Sequence, residues 1–251
     1  MKNAISSEFI KLRRSWALIL AAAAAFLPPA VEFTRSVSGH SDRPEWLAFL
    51  SSRQELAVSG MIIMVMLLAA WIFTMEYQHG TAGALFITGV KRIEIFTAKM
   101  VALSAVITGL LILSAASQLL FGALAVGKPL PAPVFWQFVS VTAWYVFSYI
   151  MLAAVVVLPA VLTKRFVLTA VITLGYYILI FPFHTKNAYV CPFMTPTIVA
   201  AKLYGSTNYI FAFSYDNLTT GVLPAGAALA CLAAAALAAG AVIYRKSDAV
   251  R

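Results

Sequence analysis

Met100–Phe121 reads MVALSAVITGLLILSAASQLLF, a run with no charged residue and only Ser, Thr and Gln to break its hydrocarbon. A bilayer core of about 30 Å is crossed by roughly 20 apolar residues in an α-helix, so this run has the length of one crossing. Five more such runs lie on either side of it: Trp16–Phe33, Ala57–Thr74, Gln137–Leu158, Phe166–Phe183 and Val222–Tyr244. Unpaired backbone amides cost too much in hydrocarbon for any spanning form but a helix or a closed barrel, and the strict alternation of a lipid-facing barrel strand is absent. The expected fold is an all-α membrane protein, one domain over residues 1–251 with six transmembrane helices.

Composition points the same way. The chain is 62% hydrophobic and 11% charged, with mean hydropathy +0.90, whereas soluble domains carry near a quarter charged residues; a water-soluble protein is excluded. A net charge of +9 raises the question of nucleic acid, but no basic face stands clear of the apolar runs, so no nucleic-acid partner is expected. The cations gather at run ends, where they orient helices and meet anionic lipid. With the N-terminus inside, the inner segments hold twelve of the eighteen Lys and Arg: Lys2, Lys11, Arg13, Arg14, Lys91, Arg92, Lys99, Lys164, Arg165, Arg245, Lys246 and Arg251. The positive-inside rule then puts both termini in the cytoplasm. A basic start and an apolar run also open a signal peptide, but the run from Trp16 exceeds a usual signal core and is read as a span. Cys191 and Cys231 have neither the spacing nor the surroundings of a disulfide or metal framework.

The connections differ in character. Residues 34–55 are polar with a short amphipathic piece, Trp46, Leu47, Phe49 and Leu50, suited to lying on the outer surface. Residues 184–221 are long and aromatic, and a connection of that length is rarely a bare loop. An external helical hairpin is expected there, with 192–203 as one short helix. Its aromatic part, Tyr204 to Tyr215, suits a substrate gate, although anchoring at the lipid interface is the commoner use of such residues. The alanine stretches Ala21–Ala25 and Ala233–Ala239 fit close helix packing.

Catalytic signals are thin. Gly122-Ala-Leu-Ala-Val-Gly127-Lys128-Pro129 imitates a P-loop, but Pro129 replaces the hydroxyl that Mg²⁺ needs, and the segment falls on the outer side. His40, His79 and His184 lie in three separate connections, so no catalytic or metal group is expected. Within the runs only Glu32 carries a charge, near the outer end of the first. An ion-coupled carrier places ionisable groups near the midplane, so the energy source is expected to be external and the chain to be neither an enzyme nor a cofactor binder.

The link between the second and third runs, Met75-Glu76-Tyr77-Gln78-His79-Gly80-Thr81 through Lys91-Arg92 to Lys99, is the most distinctive stretch. Ala82, Leu85, Phe86, Val90 and Ile93 make its middle too apolar for a solvated loop and too short for a span. A surface helix is expected, docked into a partner's groove or lying on lipid.

At these residues the chain resembles the permease subunit of ABC-2 type ATP-binding-cassette transporters, and within them the permeases of bacterial bacitracin and lantibiotic export or immunity systems. The segment Glu8-Phe9-Ile10-Lys11-Leu12-Arg13-Arg14-Ser15 resembles that family's amphipathic N-terminal interfacial helix. Glu76 with Gly80-Thr81, then Arg92 and Lys99, resembles its cytoplasmic coupling segment; Gly89 and Lys91 stand where many relatives have Pro and Ser. The resemblance implies a partner ABC ATPase subunit that holds the ATP and Mg²⁺, and a second permease chain, the same or related. It also implies an amphipathic peptide or small molecule as substrate, with the bacterial plasma membrane as the location. It assigns ATPase coupling to Glu76, Tyr77, Gly80, Thr81, Leu85, Phe86 and Arg92, and interface support to Glu8, Lys11, Arg13 and Arg14. The rival classes are an ATP-independent channel or facilitator, which wants a polar stripe through several helices, and a membrane scaffold or anchor, which needs only the surface helix.

Overall fold

A computed structural model of the chain describes residues 2–13, 15–38, 45–51, 54–81, 91–180, 195–204 and 221–246. Every regular element among them is a helix: α1 Lys2–Arg13, α2 Trp16–Val37, α3 Trp46–Ser51, α4 Gln54–Gln78, α5 Arg92–Val126, α6 Ala132–Thr163, α7 Phe166–Ile180, α8 Thr195–Tyr204 and α9 Val222–Lys246. Five of them, α2, α4, α5, α6 and α9, are long and apolar enough to cross a membrane. The apolar helix α7 has 15 residues, about 22 Å of rise; the rest of the run Phe166–Phe183 lies outside the described residues. The protein is an all-α integral membrane protein.

The helices run past their apolar runs. α5 has 35 residues, about 52 Å, so that its first two turns, Arg92 to Lys99, form one rod with the uncharged stretch. α6 is the hub, packed against α9, α4, α8, α5 and α7, while α2 lies on α5 and α4. The main core joins Ile62, Val65, Met66 and Ala69 of α4 to Ala102, Leu103 and Ile107 of α5 and to Leu152, Val156 and Val157 of α6. Small residues at these seams permit close packing, which in lipid substitutes for the absent hydrophobic drive between helices. α4 is the most enclosed span and α2 the least.

A second cluster closes the end of the bundle away from α1. Trp46, Phe49 and Leu50 of α3 pack with Val126, Phe138, Val141 and Val199, and the Trp46 Nε1 donates to the Lys128 carbonyl at 2.8 Å. The piece expected on the outer surface is therefore docked into the protein, leaving Leu47 exposed. The reason is Gly122: a Cβ there would stand 2.5 Å from the Trp46 ring and 3.2 Å from Phe49, so only glycine leaves the seat open. Gly127 caps α5 in the left-handed region, φ +65, with its amide on the Ala123 carbonyl. Both glycines of the P-loop-like string thus have structural reasons. Of the expected external hairpin, α8 is observed and is tied to α6 by the Gln137 amide donating to the Leu203 carbonyl; residues 205–220 lie outside the described residues.

Candidate functional site

Three helices bring charge together at the end of the bundle where α1 lies. On α5, Lys99 shares a face with Ile95, Ala102 and Leu103, all buried, because positions three and four apart lie on the same side of a helix. That face is turned into the protein, so Lys99 is 0% exposed. On α4, Glu76 follows the buried Ile72 and Phe73 by the same spacing, and on α1 Glu8 precedes the buried Leu12 by four. The inward face of α1 is thus partly charged, and its exposed residues include Phe9 and Ile10, which suits a helix at a lipid boundary.

The four side chains form one network. The Lys11 Nζ donates to Glu8 Oε1 and to Glu76 Oε1, each at 2.7 Å. The Lys99 Nζ lies 3.1 Å from Glu76 Oε1 and 3.4 Å from Glu8 Oε2, and also donates to the Ile72 carbonyl at 3.1 Å. Two carboxylates face two ammonium groups, so the cluster is neutral, as burial away from water requires. Burial alone would push the Lys11 ammonium down, but its hydrogen bonds to Glu76 and Glu8, reinforced by their charge, outweigh it and hold its pKa above the usual lysine value. Such a network adds little net stability compared with an apolar core, yet it specifies register: α1 has one position against α4 and α5 at which all four charges are matched.

Glu76 has a second role through its backbone. α4 ends in a Schellman turn, with Gly80 left-handed at φ +67, its amide donating to the Tyr77 carbonyl at 3.4 Å and the Thr81 amide to the Glu76 carbonyl at 3.0 Å. The Glu76, Gly80 and Thr81 spacing is therefore a helix stop. Beside it the Lys164 ammonium lies over the Tyr77 ring, 5.4 Å from its centre, and Phe73, Phe96 and Tyr244 form an aromatic chain at 5.5 and 5.6 Å that joins α4, α5 and α9.

Of the residues expected at this site, Glu8, Lys11 and Glu76 meet, with Tyr77, Gly80 and Thr81 directly after them. Arg92 lies apart, on the α9 side, where its Nη1 donates to the Arg245 carbonyl at 3.2 Å. Arg13 is exposed. Arg14, Leu85 and Phe86 lie outside the described residues. Lys99, which the resemblance places with Arg92 in the coupling segment and the charge count sets on the inner side, joins Glu8, Lys11 and Glu76; its place between Ile95 and Leu103 at helical spacing is the signal that it faces inward.

Residues 4–180 match the model of the ABC-2 family transporter proteins. The chain belongs to this family. No curated protein matches it. The matched span takes in α1 through α7 and with them all four charges of the network. As an ABC-2 transporter protein the chain is the permease subunit of an ABC transporter, a membrane transport component, and membership implies an ABC ATPase as partner. The permease's buried network sits at both roots of its residue 82–90 link, on Glu76 before it and Lys99 after it.

Proposed function

We propose that this permease is the membrane half of an ATP-driven exporter of the bacitracin and lantibiotic resistance or immunity type, expelling an amphipathic peptide or similar antimicrobial. Two permease chains, identical or related, would pair with two ATPase subunits, which hold the ATP and Mg²⁺; this chain binds no cofactor of its own and is not an enzyme. Both termini are cytoplasmic in this reading, so the charge network lies at the inner face of a bacterial plasma membrane, next to anionic lipid. Tyr77 to Thr88 docks into the ATPase, and α1 braces the docking segment from the side. The observation that supports this is the network itself: a buried, charge-balanced joint between α1, α4 and α5 at the two roots of one short link suits a part that passes a partner's movement to the spans. An allosteric element of this kind needs a contiguous physical connection and two arrangements.

Co-expression with a candidate ABC ATPase subunit tests the reading. Leu85→Glu or Phe86→Glu should abolish co-purification and stimulated ATP hydrolysis while membrane insertion persists; unchanged coupling in both variants would overturn the docking role. Sensitivity of a deletion strain to a panel of amphipathic peptides tests the substrate class, and an unchanged panel would remove it.

A further inference from the structure

The first turn of α5 and the last of α9 part around a cleft of about 580 Å³, lined among the described residues by Lys91, Arg92, Ile93, Ala241, Val242 and Arg245. Three of these six carry positive charge and none carries negative charge. Arg245 follows Ala241 and Val242 by one helical turn, so its cation stands just beyond an apolar floor on the same side of α9. The Arg92 guanidinium, bonded to the Arg245 carbonyl at 3.2 Å, holds the two helix ends at this separation. Ile93 and Val242 are 40% and 53% exposed, apolar surface that a free anion would leave uncovered.

We propose that this cleft binds one anionic phospholipid, its phosphate among Lys91, Arg92 and Arg245 and its acyl chain along Ile93 and Val242. The shared chemistry, a phosphate ester anion, is also that of a free phosphate compound, but cations one turn beyond exposed hydrocarbon match a headgroup joined to a chain. Naming the leaflet as cytoplasmic rests on the orientation proposed above; the binding does not. Because Arg92 opens α5, a bound lipid would fix where the chain re-enters the membrane after its 82–90 link.

The test is native mass spectrometry of the full-length permease in zwitterionic detergent, titrated with phosphatidylglycerol or with phosphatidylcholine of the same acyl chains, with and without millimolar inorganic phosphate. One phosphatidylglycerol per chain should be retained in preference to phosphatidylcholine, and inorganic phosphate should not displace it. Each surface cation contributes about fivefold, so Lys91→Gln with Arg245→Gln should weaken retention about 25-fold. Arg245→Lys should keep most of it, and Lys128→Gln with Lys202→Gln, the same loss of charge away from the cleft, should leave it unchanged. Unaltered retention in the cleft double variant, equal retention of phosphatidylcholine, or displacement by inorganic phosphate would each overturn the proposal. None of these readouts involves ATP hydrolysis, so a failure of the exporter reading would not be mistaken for a failure of the lipid site.

Discussion

Lys99→Met removes one ammonium from a buried cluster of two carboxylates and two ammonium groups. The lost contacts are those to Glu76 at 3.1 Å, to Glu8 at 3.4 Å and to the Ile72 carbonyl at 3.1 Å, and what remains is a buried net charge of −1. Breaking a buried pair from one side costs about 3–5 kcal/mol, because the orphaned charge stays out of water. The cheapest relief is for α1, a helix of 12 residues, to lift away, which carries Glu8 and Lys11 into solvent and opens Glu76 to water, a local opening of the kind that sets regional stability. A reporter for that opening is Leu12→Cys, since Leu12 is 2% exposed, in a chain with Cys191→Ser and Cys231→Ser. Maleimide labelling of Cys at that position should accelerate by about two to four powers of ten in Lys99→Met. Glu8→Gln leaves a net charge of +1 and should also accelerate labelling. Combining the two restores one carboxylate and one ammonium, Glu76 with Lys11, so the double variant should be less perturbed than the sum of the singles by about 2 kcal/mol or more. If the two effects simply add, the four charges do not act as one balanced unit and the reasoning fails.

Other consequences can be measured on the same material. Gly80→Val puts a branched side chain at φ +67, at a cost of about 1–2 kcal/mol, and should reduce ATPase stimulation, whereas Gly80→Asn, whose side chain tolerates that region, should be nearly silent. Gly122→Leu should expel Trp46 from its seat, seen as faster labelling of Leu50→Cys at the far end of the bundle while Leu12→Cys labelling stays slow; equal effects at both ends would refute a local seat. The pKa of Lys11 is raised, so its contribution is complete below the ordinary lysine value of 10.5 and is lost only as pH rises through the higher folded-state value. The difference in melting temperature between the parent and Lys11→Met should therefore be flat from neutral pH to about 10 and shrink only above that; a difference that shrinks well below it would contradict the raised value.

The sequence made the crossings legible because length and hydropathy are local properties. Met100–Phe121 announces a span without reference to anything else, and the helix stop at Gly80-Thr81 is likewise written within a few residues. Glu8, Lys11 and Glu76 could be singled out as charges in unusual places, but not joined, since Lys11 and Glu76 are 65 positions apart and only the packing of α1 on α5 brings them within 2.7 Å. Lys99 could be named with Arg92 in the coupling segment, but its burial could not be read there. It stands at the border of an apolar run, where a lysine is ordinarily read as a topological charge; only the helix phase shared with Ile95 and Leu103 turns it inward. Trp46 shows the same limit from the apolar side, for an amphipathic hexapeptide suits a lipid surface or a protein groove equally, and the deciding residue, Gly122, is far along the chain.

Glu76 joins two kinds of bond in one residue, its carbonyl closing the last turn of α4 and its carboxylate gripping two ammonium groups. A pull on the chain just beyond Thr81 acts first on that final turn. Ordinarily a helix end under tension frays residue by residue and absorbs the displacement. Here fraying would have to wrench Glu76 from Lys11 of α1 and Lys99 of α5, so the terminal turn is stiff against stretching. Displacement applied at Thr81 is handed on to whole helices, as force on a rod is when the rod is clamped at its tip.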